Sequence, residues 1–220
     1  MNLSDLIFDR RCSICDKQIQ SGAVCEKCDA EILSYAKPSY RNVAVDGRML
    51  QARYVFEYDV PIVRRLVFSL KHRANKDLFI YAAKLYEMAF DDNFSGTVTN
   101  CPRRGRGVRN YGYDQVSEPC KIACRNSSGR LEFEKILRRK LFSKEQKTLN
   151  LRERIENTRG KFKVIKKDIP KNILIADDVI TSSSTACACA QAILEKRVDA
   201  NITFAFLVSR NGFAGKGQFE

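Results

Sequence analysis

Asn172-Ile173-Leu174-Ile175-Ala176-Asp177-Asp178-Val179-Ile180-Thr181-Ser182-Ser183-Ser184-Thr185 is the stretch on which the fold turns. Its first five residues form a short apolar run of the kind that makes a buried parallel strand. The run stops at the two acids, five consecutive hydroxyl residues follow from Thr181 to Thr185, and an alanine-rich stretch of good helix propensity continues to Lys196. The order is strand, acidic turn, hydroxyl loop, helix, which is a building unit of α/β proteins. Working outward, Thr97-Val98-Thr99 and residues 202–208 read as strands, and residues 60–70, 77–90 and 114–125 read as helices.

In an open parallel sheet, ligands bind beyond the carboxyl ends of the strands, where the turn after Ala176 falls. A helix beginning near Thr185 offers unpaired backbone N–H groups and about half a positive charge to a phosphate. The hydroxyls of Thr181, Ser182 and Thr185 add donors. Asp177 and Asp178 are acceptors suited to vicinal sugar hydroxyls, so the implied ligand is a ribose 5-phosphate. An ordinary helix cap is the competing explanation, because Asp, Ser and Thr are all preferred there. One residue suffices for a cap, and two acids with five hydroxyls exceed that need.

The amino-terminal part carries a different signal. Cys12-Ser13-Ile14-Cys15 and Cys25-Glu26-Lys27-Cys28 are two C-x2-C knuckles, which together supply the four sulfurs of a tetrahedral zinc site. A segment of this size buries too little apolar surface to fold unaided, and zinc contributes roughly 10 to 16 kcal/mol of apparent folding free energy in such modules. A closed four-sulfur shell leaves no position for substrate, so the zinc is expected to be structural. A redox C-x-x-C is the alternative, but that chemistry needs only one pair. The other cysteines, Cys101, Cys120, Cys124, Cys187 and Cys189, show no four-ligand spacing and read as buried packing residues. The single histidine, His72, lies near no hydrolase motif.

Hydrophobic residues at 44% and charged residues at 30% are the balance of a folded, soluble chain. No apolar run approaches the 18 or so residues that span a bilayer, and the first residues lack a signal-peptide core, so membrane insertion and export are not expected and a reducing cytoplasm is. The net charge of +13 is uneven. Residues 1–46 hold six bases and seven acids, whereas residues 130–171 hold fifteen bases against six acids, and Arg103, Arg104, Arg106 and Arg109 crowd an acid-free window. A field of this sign either serves solubility or draws polyanions, nucleic acid or phosphorylated metabolites.

The stretch from Ile173 to Thr185 resembles the phosphoribosyl pyrophosphate signature of type I phosphoribosyltransferases, in which a strand leads into two acids and a Thr-Thr-Gly-x-Thr-like loop. Ser183 stands where that signature has glycine, a residue that takes positive φ freely. Further segments resemble the ComF family, competence-associated phosphoribosyltransferase-like proteins with an amino-terminal zinc module. They are Tyr58-Asp59, Leu70-Lys71-His72, Cys101-Pro102 with the arginines, Gly112-Tyr113-Asp114-Gln115, and Arg138, Arg139, Gln146, Leu149, Arg152, Arg154, Asn157, Gly160 and Phe162. Tyr111, Asp114, Arg103 and Ser183 depart from the family's usual residues.

The resemblance implies a doubly wound parallel sheet of the type I phosphoribosyltransferase kind, with helices on both faces, behind a small zinc-ribbon-like module. The division it suggests is a zinc module over residues 1–48, a phosphoribosyltransferase-like domain over residues 49–210 and a flexible tail over residues 211–220. Phosphoribosyl pyrophosphate with magnesium is expected at Asp177 and Asp178 together with Thr181, Ser182, Ser183, Ser184 and Thr185. Arg103, Arg104 and Lys71 are expected on its pyrophosphate, and residues 140–162 are expected to form a basic loop over the site. The family also implies single-stranded DNA binding during DNA uptake and natural transformation, with a DNA-uptake helicase as a partner class. Arg106, Arg109, Tyr111, Tyr113, Arg138, Arg139 and Lys140 are the candidate DNA contacts. Against this stands an enzyme that transfers phosphoribose to an acceptor no residue here identifies, with no DNA role.

Overall fold

The computed structural model describes residues 10–103, 112–140 and 160–210. Arg104, Arg106, Arg109 and Tyr111, most of the basic segment before Gly160, and the carboxyl-terminal tail lie outside them. After the cysteine knuckles, helix α1 (Glu26–Ser34) leads to a hairpin of β1 (Ser39–Val45) and β2 (Arg48–Glu57). Asp46 and Gly47 make its two-residue turn with φ of 46° and 77°, the positive values that a turn matched to strand twist requires. Next come α2 (Pro61–His72), α3 (Lys76–Ala89), β3 (Gly96–Asn100), α4 (Ser117–Asn126) and β4 (Leu131–Phe133). The short strands β5 (Leu137–Arg139) and β6 (Phe162–Val164) precede β7 (Asn172–Ile180), α5 (Ser184–Leu194) and β8 (Asn201–Ser209).

One six-stranded sheet runs in the order β1-β2-β8-β7-β3-β4, and every neighbouring pair is parallel except the β1–β2 hairpin. The central strands have the apolar composition that burial on both faces demands. One face packs against α2, α3 and α4 through Leu66, Leu78, Val116 and Cys120. The other packs against α5 and the β5–β6 ribbon through Ile173, Ile175, Ile193, Leu137 and Phe162. Gly96 begins β3 hard against β7, where a Cβ would stand 2.6 Å from the carbonyl oxygen of Asn172. Only glycine permits that approach at its φ of 152°.

The architecture is thus a mixed α/β sheet with helices on both faces, and the four helices and three strands read above are present within a few residues. Two details differ. The acids do not end the strand: β7 continues through Asp177 and Asp178 to Ile180, because β8 goes on pairing alongside it at Val179↔Val208 and Ile180↔Ser209. A boundary at residue 48 also falls within the β1–β2 hairpin, so β1 belongs to the main sheet. The cysteine segment shares that core, since Cys12, Ile14, Ala23, Cys28 and Ile32 join the cluster of Leu66 and Leu78.

Candidate functional site

β3 and β7 are neighbours whose onward connections part company. The chain leaves β3 through α4 toward β4 at one edge, and leaves β7 through α5 toward β8 on the other side. Such a topological switch point opens a crevice at the carboxyl ends of the two strands, where ligands of open α/β sheets bind. Asn100, Cys101 and Arg103 stand at the end of β3, and residues 177–185 stand at the end of β7.

Successive residues of a strand project to opposite faces, so the two acids do not act as a side-by-side clamp. Asp178 faces α2 and α4. Its Oδ2 accepts a 2.7 Å hydrogen bond from Gln115 Nε2 and lies 3.2 Å from Lys71 Nζ. Asp177 faces the other way, where the Cys101 thiol hydrogen-bonds to its carboxyl. Its Oδ1 also accepts the Asp178 N–H at 2.9 Å, and its carbonyl accepts the hydroxyl of buried Tyr86 at 3.2 Å. Loss of hydration raises the Asp177 pKa to about 8, with the nearby charge of Asp178 adding to the effect and the hydrogen bonds from the Asp178 N–H and Cys101 opposing it.

The hydroxyl loop enters α5 through Ser183, which has φ 59° and ψ −4°. Serine here adopts the left-handed conformation that glycine would supply in the signature, at a cost of about 1 to 2 kcal/mol. Thr181 and Ser182 are exposed, and the Ser182 and Ser184 hydroxyls hydrogen-bond to one another at 3.0 Å. Arg41 of β1 reaches across to this loop. Its Nη2 donates to the Thr181 carbonyl at 3.2 Å and to Ser183 Oγ at 3.5 Å, and its buried Nε has no acceptor among the described residues. Arg103 Nη1 is a second buried guanidinium nitrogen without an acceptor among them. Donors of this kind suit an anion.

The structure thus brings together Asp178 and Lys71 directly, and places Asp177, Arg103 and residues 181–185 around the same strand ends. Arg41 and Gln115 complete the set; the first is 140 residues from its loop partner and leaves no local trace in sequence. Tyr113, half-buried, packs edge-on against Phe79 with centroids 5.3 Å apart, and its hydroxyl accepts the Ala74 N–H. Arg138 and Lys140 are exposed on the ribbon, while the Arg139 guanidinium lies 5.3 Å from the Phe162 ring centroid.

The sulfurs of Cys12, Cys15, Cys25 and Cys28 lie within 4.8 Å of one another. Cys15 and Cys25 are 3.7 Å apart, close to the roughly 3.8 Å that a tetrahedron of 2.3 Å zinc–sulfur bonds sets. Burial opposes ionisation of Cys12, but backbone hydrogen bonds from Cys25, Cys15 and Ile14 outweigh it and bring the thiol down to about 7. Cys28 is pushed up by burial and by its sulfur neighbours. The four side chains fit a metal ion such as zinc. Two hydrogen bonds fasten the segment to the main body: Ser69 Oγ of α2 donates to the Ser13 carbonyl, and the Tyr81 hydroxyl of α3 donates to Asp29 at 2.8 Å. Among the described residues no helix is long and apolar enough to cross a membrane.

Compared with known protein families and with curated proteins, the chain matches none.

Proposed function

We propose that this chain is a ComF-type protein with a type I phosphoribosyltransferase-like fold. In this reading it binds phosphoribosyl pyrophosphate with magnesium in the crevice between β3 and β7, and handles single-stranded DNA in natural transformation. The observation that carries the sugar-phosphate half is the left-handed Ser183 at the entry to α5, three residues past the end of β7 at the switch point. A serine held in a conformation costly to it keeps the loop in the shape a phosphate cradle needs.

On this reading the 5-phosphate sits on the loop of residues 181–185 with Arg41 behind it. Asp178 faces the ribose hydroxyls after releasing Lys71 to the pyrophosphate, while Asp177, on the other face of β7, supports the strand end through its hydrogen bond with the Asp178 N–H. Arg103 completes the pyrophosphate side. Magnesium is held mainly by ligand oxygens and water, as is usual for this ion. Zinc in the four-cysteine cluster is structural. Transfer of the phosphoribosyl group to an acceptor, with pyrophosphate leaving, is the enzymatic extension of the same site. The electrostatic excess after residue 46 favours the DNA role beside it.

A thermal-shift series on the full, zinc-loaded chain tests the sugar-phosphate reading. Magnesium phosphoribosyl pyrophosphate should raise the melting temperature more than ribose 5-phosphate or pyrophosphate alone, because only it spans both halves of the crevice. Equal and negligible shifts for all three would overturn it.

A further inference from the structure

Helix α2 uses only part of its circumference for the core. Ile62, Val63, Leu66, Val67 and Leu70 are buried, while the outward face borders an open groove of about 530 Å³. Tyr58, Arg64, Arg65, Phe68, Lys71 and His72 line it, and none of the lining residues is acidic. The stretch from Arg64 to His72 covers about 12 Å of helix. At its far end Lys71 touches Asp178, so the groove leads into the crevice between β3 and β7.

Phe68 is the unexpected member. A phenylalanine contributes most to stability when buried, yet this one is 52% exposed. Its ring is flanked by His72, with centroids 4.5 Å apart and planes tilted by 37°, and by the Arg73 guanidinium 6.0 Å from its centroid. Tyr58 carries Arg210 in the same manner at 5.3 Å. An aromatic face bordered by cations, within a row of further cations, matches the two parts of a nucleotide: a flat base and a charged phosphate. An acidic peptide would engage the cations and leave the ring unused. A lipid surface would need more exposed apolar area than one ring supplies.

We propose that the α2 groove binds a single-stranded nucleic acid, with Phe68 stacking on a base and Arg64, Arg65 and Lys71 holding the flanking phosphates. The inference rests on the nucleic-acid half of the proposed function and moves that contact away from Tyr113. It also makes Lys71 common to the strand and the crevice, so that a bound phosphate competes with Asp178 for one ammonium group.

The test is fluorescence anisotropy of a labelled oligothymidine of about fifteen nucleotides with the full, zinc-loaded chain, between about 50 and 200 mM salt. Phe68→Ala should weaken binding at least about fivefold and leave the salt slope unchanged, since stacking is not ionic. The Arg64→Ala, Arg65→Ala double variant should weaken binding and lower the slope of log affinity against log salt by about 1.4. A matching pair on the ribbon, Arg138→Ala with Lys163→Ala, should change affinity less. All these side chains are at the surface, and a thermal melt checks that each variant folds. If the wild-type chain shows no salt-dependent binding, the nucleic-acid reading and this inference both fall. If it binds and the α2 variants bind equally well, the inference alone falls. Competition by polyglutamate as effective, charge for charge, as unlabelled oligonucleotide would overturn it in favour of an acidic peptide.

Discussion

Replacing Asp177 by asparagine should stabilise this protein at alkaline pH. The buried carboxyl titrates near 8 in the folded chain, against an ordinary value of 3.8. Below pH 4 or so it is protonated in both the folded and unfolded states, and its contribution to stability is fully present. As pH rises from there, the unfolded chain gives up a proton that the folded chain keeps, so stability falls by up to about 1.4 kcal/mol per pH unit until the folded pKa is passed. Across the whole window the loss is on the order of 5 kcal/mol. Asparagine mimics the protonated carboxyl, keeps an oxygen for the Asp178 N–H and does not titrate. In urea unfolding, the variant's advantage over wild type should therefore widen by about 2 kcal/mol between pH 6 and 8 and level off above. A variant that tracks wild type over that range, or is the less stable at pH 8.5, would refute the idea that Asp177 is a desolvated acid kept at a cost to the fold. Such a cost is the pattern expected where a residue serves a ligand.

Ser183→Gly should raise stability by about 1 kcal/mol, read from the urea midpoint, because glycine adopts the left-handed conformation without a Cβ penalty. Gly96→Ala should cost about 1 to 3 kcal/mol in the same assay, since its methyl meets the Asn172 backbone. Arg41→Ala should weaken phosphoribosyl pyrophosphate binding by about tenfold or more, measured by calorimetry, through loss of a charge-assisted donor to the hydroxyl loop. Stripping metal with a strong chelator should lower the melting temperature by several degrees and weaken sugar-phosphate binding. The knuckle holds α2 through Ser69, and α2 carries Lys71; restored zinc should reverse both effects.

The parts of this structure that were legible in sequence are those with local signals. β7 and α5 announced themselves by an apolar run and an alanine-rich stretch, and α2 and α3 by amphipathic spacing. The four-cysteine cluster followed from spacing alone. The β1–β2 hairpin went unread even though Asp46-Gly47 is a strong two-residue turn signal, because its flanking strands alternate weakly and carry three arginines. The acids of β7 looked like a strand end, since charge disfavours a buried ladder, but β8 supplies the pairing that carries the strand past them. Arg41 was beyond reach for a plainer reason: its role depends on a partner loop that only the tertiary fold brings near. The edge-on packing of Tyr113 against Phe79 is likewise a tertiary contact with no local signal.

The most direct test of the central claim is calorimetric titration of magnesium phosphoribosyl pyrophosphate into the zinc-loaded chain, beside the Asp177→Asn, Asp178→Asn double variant. The account predicts saturable binding by the wild type and none by a variant whose melt shows that it is folded. No binding by the wild type, or equal binding by both proteins, would contradict it.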